Sequence, residues 1–250
     1  MDLGIAGRRA AVAGASAGLG WAPALALAEA GCHVAICGRD PERIRLAAER
    51  IGRGCVGLTV DVRDAAGGAA FVAAATEALG GVDILVPNAG GPPPGTFAST
   101  DVDAYATAID LNLLSVVAMC KAAVPAMQAR GWGRVCAITS VSVRQPIPNL
   151  ILSNTARAGT TGFLKTLARE VAGDGVTVNS AQPGIHATDR IKGLYTNGGT
   201  PDAKALGIPA GFVGDPADFG RVVAFLCSEP ARFVTGSHLP VDGGSYAGLQ

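Results

Sequence analysis

The residues best placed for chemistry lie between positions 135 and 157, in the stretch VCAITSVSVRQPIPNLILSNTAR. A β-type apolar run ends in three hydroxyls, Thr139, Ser140 and Ser142. A proline-rich loop follows, and then a helix start carrying Ser153 and Arg157. Those two stand four residues apart, so on a helix they point the same way. A strand-end hydroxyl opposite a polar pair on a helix makes a small pocket able to hold and polarise an oxygen. The stretch contains no Tyr, His, Asp, Glu or Lys. The obvious proton donor is missing where the arrangement wants one.

A second stretch is suited to phosphate. Residues 8–13 read as a short apolar strand, followed at once by Gly14-Ala15-Ser16-Ala17-Gly18-Leu19-Gly20, and an alanine-rich helix covers about 18–30. Glycines let a backbone approach a pyrophosphate, and the free N–H groups of a first helical turn face its charge. The alternative is a glycine-rich loop with no ligand. The next strand, 33–37, ends at Gly38-Arg39-Asp40. A carboxylate at that strand end would hold a ribose 2′-hydroxyl. Gly38 stands there instead and Arg39 follows, which favours a 2′-phosphate through charge-assisted hydrogen bonds. The pattern points to NADP(H), with NAD(H) still open and with Arg39 otherwise an ordinary solvated side chain. Asp40 reads as the N-cap of a helix over about 41–51.

The elements that must position these residues alternate along the chain. Strands are expected at 55–60, 82–87, 135–140, 176–181 and 238–241, and helices over about 65–79, 100–130, 153–172 and 216–228. Strands alternating with helices predict an α/β fold, a doubly wound, mostly parallel Rossmann-type sheet in a single domain over 1–250. Asn112, amid apolar neighbours on the long helix, needs partners if buried. It is either a structural bridge between elements or a site residue. Residues 185–215 are punctuated by Gly and Pro beyond a strand's carboxyl end, as a substrate-covering lid would be.

Hydrophobic residues make up 49% of the chain and charged ones 16%, a composition for a filled core rather than disorder. Lys plus Arg and Asp plus Glu balance at 20 each, so no nucleic-acid or anionic-membrane footprint is expected. Apolar runs look too short or too broken to span a bilayer, and no secretory signal stands at the N-terminus. The six cysteines have no CxxC spacing and read as small buried thiols of a reducing cytoplasm, with no metal site expected.

The chain resembles the short-chain dehydrogenase/reductase family over essentially its whole length, most closely its 3-ketoacyl-carrier-protein reductase-like members. The resemblance rests on AGASAGLG (13–20), DV (61–62), NAG (88–90), Asn112, ITS (138–140), Pro183-Gly184 with Thr188, and TGSHLPVDGG (235–244). It implies that Gly14, Ser16, Gly18, Leu19 and Gly20 line the pyrophosphate, and that Asp61 and Val62 meet the adenine. Asn88, Ala89 and Gly90 would support the adenosine half. Pro183, Gly184 and Thr188 would hold the nicotinamide end. In the family a Tyr follows the catalytic Ser by thirteen residues and a Lys follows that Tyr by four. Counted from Ser140, those positions hold Ser153 and Arg157.

The family's Tyr protonates the nascent alkoxide with help from the neighbouring Lys. Ser153 is a poorer acid on a shorter arm, whereas Arg157 keeps a charge able to bind the nicotinamide ribose or to polarise a substrate oxygen. The resemblance also places His186 next to the nicotinamide, either as a substitute proton donor or as a residue at the lid base. Arg144 and Asn149 either grip an anionic or carrier-linked substrate or lie in a solvated loop. Tyr195 sits on the lid. The leading expectation is an atypical NADP(H)-dependent oxidoreductase acting on a small carbonyl or alcohol. The alternatives are a non-redox lyase, isomerase or cyclase, or a catalytically silent nucleotide-binding protein. By analogy the chain forms a homodimer or homotetramer through the helices around 111–127 and 153–171.

Overall fold

Parallel strands need a long crossover between them, and the alanine-rich stretches between the short apolar runs supply it. In the computed structural model, which describes residues 2–189, 191, 193 and 202–249, seven strands form one sheet. They are β1 (Arg9–Val12), β2 (His33–Gly38), β3 (Val56–Thr59), β4 (Ile84–Val86), β5 (Gly133–Ile138), β6 (Val176–Pro183) and β7 (His238–Val241). All pair in parallel, in the order β3-β2-β1-β4-β5-β6-β7. The order reverses between β1 and β4. Such a switch point leaves a crevice at the carboxyl ends of the strands.

Helices cover both faces. On one side α1 (Gly18–Glu29), α2 (Pro41–Ile51) and α7 (Pro216–Leu226) bury Leu27, Ile44 and Phe219 against Val12, Ile36 and Ile138. On the other, α3 (Ala65–Leu79), α5 (Ser115–Ala129) and α6 (Ile151–Val171) bury Phe71, Met119 and Leu164 against Leu85, Val135 and Val178. Burial on both faces is why these strands read as continuous apolar runs rather than alternating ones. The mostly parallel sheet expected from the sequence is parallel throughout. Element ends move by a few residues; α6, for example, begins at Ile151 rather than 153, and β4 is shorter than expected.

The long helix expected over 100–130 is continuous from Val102 to Ala129, but it is not uniform. Between α4 (Val102–Ile109) and α5 its ladder widens into a π turn, Asp110–Leu114. Hydroxyls serve carbonyls in this turn: Ser115 Oγ donates to Leu111 O at 2.6 Å and Thr160 Oγ1 to Asn112 O at 2.5 Å. By length and hydropathy alone this helix could cross a membrane, which corrects the expectation that every apolar run is too short. Its apolar character has a local use. Met119, Cys120, Ala123 and Met127 are buried in the core that α3 and the sheet share.

At the opposite end of the strands from the crevice, Asp83 is buried just before β4. It accepts from Arg9 Nε at 2.8 Å and Nη2 at 2.6 Å, and Arg130 Nε lies 3.4 Å away. Burial pushes this carboxyl up, but the Arg9 hydrogen bonds and charge pull it further down, to a net value below its ordinary 3.8. Its stabilising contribution is therefore complete above that ordinary value and is lost as pH falls through the lower folded one. Arg9→Ala should cost about 3 kcal/mol in denaturant unfolding, the low end for breaking a buried pair because the guanidinium is partly exposed. Nucleotide affinity should be unchanged. Wild-type stability should also drop on strong acidification, with part of that slope missing in Asp83→Asn.

Candidate cofactor and active site

The glycine loop between β1 and α1 is shaped by three positions. Gly14 and Gly18 hold φ of 57° and 60°, a left-handed backbone that side chains disfavour. At Gly20 a Cβ would overlap the Gly14 carbonyl. Ala17, at the N-cap of α1, offers no side-chain cap, so the first-turn N–H groups are left for an external anion. Asn88, just past β4, braces the loop by donating from Nδ2 to Ala13 O at 3.2 Å and Gly14 O at 3.1 Å. Half-buried Leu19 anchors the helix start in the core beneath. A Cβ on Gly18 would lie 3.5 Å from Thr188 Cγ2, so the segment after β6 borders the same loop. Loop, strand ends and helix N-terminus fit a dinucleotide pyrophosphate.

From this loop a cleft of about 660 Å³ runs over the ends of β2 and β3, lined among others by Gly14, Ser16, Gly38, Arg39, Asp61, Val62, Ala89 and Gly90. Asp40 caps α2 as expected, accepting from Arg43 N at 2.9 Å. Arg39 is exposed at the rim, and its guanidinium has no partner among the described residues. The same holds for Arg43, which also lines the cleft. The sequence reading missed Arg43; its place in the first turn of α2, directly after the β2 end that carries Arg39, is the signal that could have found it. Asp61 is not a free acceptor, because Arg63 Nε donates to it at 2.7 Å.

At the other end, Arg157 Nη1 donates to Ile138 O at 3.1 Å and Thr139 O at 3.3 Å, docking α6 onto the end of β5 immediately before Ser140. Ser140 Oγ accepts from Ser142 N at 3.1 Å and so begins the short turn Val141–Val143; its own proton remains available to a ligand. Ser153 is half-buried on α6 and makes no hydrogen bond among the described residues. Asn112 bridges elements. Its Nδ2 donates to Gly90 O at 3.0 Å, its carbonyl accepts from Thr160, and its Oδ1 is buried with no partner among the described residues. The Thr160 hydroxyl ties α6 to the π turn.

Three expected candidates stand elsewhere. His186 is buried, with its ring edge-on to Phe219 at 5.2 Å between centroids and its Nδ1 3.3 Å from Gly184 O. Burial holds its pKa below the ordinary value, against small upward pulls from the Gly184 carbonyl and nearby carboxylates, and so favours the neutral ring. It lines a separate cavity of about 240 Å³ with Ile208, Phe212 and Phe219, where Ser140, Ser153 and Arg157 are absent. That placement favours the other expectation for His186, a residue at the base of the 185–215 segment. Arg144 donates to His238 O at 2.9 Å and lies 5.6 Å from the Tyr246 ring, tied to the C-terminal segment rather than open to an anion. Asn149, at φ 62°, instead accepts through its backbone oxygen from Gly95 N at 2.7 Å and clamps the loop 91–95, with its three consecutive prolines, to the start of α6.

Pro183 and Gly184 run alongside Val241, and a Cβ on Gly184 would lie 2.7 Å from Asp242 Cβ. Neither described tyrosine is hydrogen-bonded to Ser140 or Ser153. Tyr105 packs on Leu152 and Ala156, and Tyr246 donates to Leu249 O. Tyr195 lies outside the described residues.

The comparisons with known proteins agree with this geometry. A family model described as enoyl-(acyl carrier protein) reductase matches residues 14–246. The chain is 34% identical over 244 residues to the 3-oxoacyl-[acyl-carrier-protein] reductase of Vibrio cholerae, covering 98% of this chain and 99% of that protein. It is 31% identical over 245 residues to human dehydrogenase/reductase SDR family member 4, covering 96% and 88%. L-sorbose reductase of Gluconobacter frateurii, complexed with NADPH and L-sorbose, superposes with a TM-score of 0.89 at 31% identity, covering all of both chains. An NADPH-bound short chain oxidoreductase of Pseudomonas aeruginosa PAO1 containing an atypical catalytic center superposes at 0.88 with 32% identity, covering 98% of this chain and 100% of that one. The chain belongs to the short-chain dehydrogenase/reductase family.

Proposed function

We propose that the protein is an atypical NADP(H)-dependent oxidoreductase that reduces a small carbonyl or oxidises the matching alcohol. One observation carries this reading: the braced loop Gly14–Gly20 opens into a cleft where Arg39 and Arg43 stand unpaired. Two guanidinium groups there suit a 2′-phosphate, for which a planar fork of donors is well matched. The NADPH found in the Gluconobacter and Pseudomonas relatives supports the same cofactor. Bound NADPH supplies a hydride. Ser140 donates to the substrate oxygen, and Arg157 sets a permanent charge beside the nicotinamide ribose. Thr188, next to Gly18, holds the carboxamide. Ser153 replaces a phenol with a hydroxyl too weakly acidic to act alone, so the proton comes by another route.

The reading extends to the rest of the molecule. The ends of the 185–215 segment are tied together, with Gly214 N donating to Ile185 O at 3.0 Å and Ala187 N to Gly214 O at 2.9 Å, as the hinge of a lid would be. Residues 190, 192 and 194–201 of it lie outside the described residues. A groove of about 450 Å³ between α5 and α6, with Val124, Phe163 and Leu167 in its lining, supports a homodimer or homotetramer. The six cysteines are free thiols, in keeping with a cytoplasmic protein acting on small-molecule substrates as a single domain. The absence of a phenol beside Ser140 among the described residues also favours a second reading, a protein that binds NADP(H) without redox turnover.

Assay of the purified protein with NADPH and a panel of ketones, sugars and ketoacyl thioesters separates the two. Oxidation of NADPH with at least one carbonyl is expected; tight binding with no oxidation on any would establish the second. Arg39→Glu should weaken NADPH about 10- to 100-fold by calorimetry, the scale of a lost charge-assisted hydrogen bond, and leave NADH nearly unchanged. Equal wild-type affinity for the two nucleotides would contradict the assignment. Ser153→Tyr with Arg157→Lys should raise kcat by about 10-fold or more, since a positioned acid contributes about 100-fold or more.

A further inference from the structure

Behind Ser140, four buried polar atoms have no hydrogen-bond partner among the described residues: Ser142 Oγ, both amide atoms of Gln182, and His238 Nε2. Gln182 is 0% exposed and Ser142 2%. Leaving such groups unbonded is costly, so native proteins give them a partner, often an ordered water.

The four atoms belong to one neighbourhood. Ile138 pairs with Ala181, so Thr139 and Gln182, one residue on, stand side by side; Ser180 pairs with His238 on β7. The two-residue period of a strand sets Ser180 and Gln182 on one face. It is the face that α6 covers, since Val176 and Val178, earlier on that side of β6, pack with Leu164 and Ala168. Hydrogen bonds connect the members. Thr139 Oγ1 donates to Ser180 Oγ at 3.4 Å, and Ser180 Oγ lies 2.9 Å from His238 Nδ1. Arg144 donates to His238 O, which brings the turn holding Ser142 over β7, and Ser142 N donates to Ser140 Oγ. Arg157 reaches the Thr139 carbonyl from above. A run of polar groups therefore links the turn at Ser140 with His238.

We propose that Ser142, Gln182 and His238 enclose a bound-water site behind Ser140, and that this water carries the proton that Ser153 cannot supply. The relay rests on the carbonyl-reductase reading above; the water site does not. As the substrate's carbonyl carbon accepts hydride from NADPH, the C=O π pair moves to oxygen and takes the Ser140 hydroxyl proton. Ser140 is reprotonated by the water behind it, and that water by His238, the partly exposed member of the chain. The net change is carbonyl plus NADPH plus H⁺ to alcohol plus NADP⁺. The Ser142 N–H steadies the Ser140 oxygen while its proton is in transit. His238 suits a conduit because an imidazole takes a proton on one nitrogen and releases it from the other. Burial, then the facing charges of Lys165 on α6 and Arg144 on the loop, hold its pKa down to about 4, so it rests neutral between transfers.

The test is a crystal structure with NADP⁺, together with kinetics of Gln182→Leu and Ser142→Ala. Ordered water is expected within hydrogen-bond distance of the Gln182 amide, Ser142 Oγ and His238 Nε2. Both variants should lose about 100-fold in kcat with NADPH affinity within two-fold of wild type. A bowed dependence of kcat on D₂O fraction in the wild type should become straight in whichever variant folds. A dry pocket in an active enzyme overturns the whole proposal. Water present with unchanged kcat in both variants overturns the relay and leaves the site. Water present in a wild-type protein that reduces no carbonyl overturns the relay together with the reductase reading, and again leaves the site.

Discussion

The cofactor end of this molecule depends on the side chain of Asn88. Its amide nitrogen reaches two successive carbonyls, of Ala13 and Gly14, and so fixes the exit of β1 against the exit of β4. Those strands flank the point where the sheet order reverses. With the carbonyls held, Gly14 turns left-handed, Gly20 packs beneath it, and the uncapped start of α1 points at whatever occupies the crevice. A backbone made to meet phosphate has to be rigid and bare at once. Glycine supplies the bareness and Asn88 the rigidity.

At the reactive end the same logic has been altered. Arg157 spends part of its guanidinium on the last carbonyls of β5, and Thr160 serves the Asn112 carbonyl that the π turn exposes. These bonds fasten α6 to β5 and to the π turn between α4 and α5, and so hold the surroundings of Ser140 in place. The scaffold persists because its hydrogen bonds do not run through position 153. Polarity has collected behind the serine instead, on the α6 side of β6, where buried Gln182 follows Ser180.

Much of this was legible in the chain itself. Periodicity and punctuation located α2 and α3 closely, α2 with the help of its cap Asp40. The glycine loop and the Ser153–Arg157 replacement were visible because their meaning lies in local spacing. Three features were hidden. The π turn depends on Thr160, 48 residues away from Asn112. His186 looked reactive in sequence, yet its fate is decided by Phe219, which packs against it. Gln182 gave no signal, since only strand register reveals that it stands beside Thr139.

The account's central claim is that an intact nucleotide seat works here without a phenolic acid. The pH dependence of kcat for NADPH-driven reduction tests it most directly. With a water-fed serine the rate should stay level between about pH 6 and 9, since no side chain in the proton path titrates there. A rate that falls as one group with an apparent pKa of about 7–9 loses its proton, and that flattens when Tyr195 is changed to Phe, would contradict it.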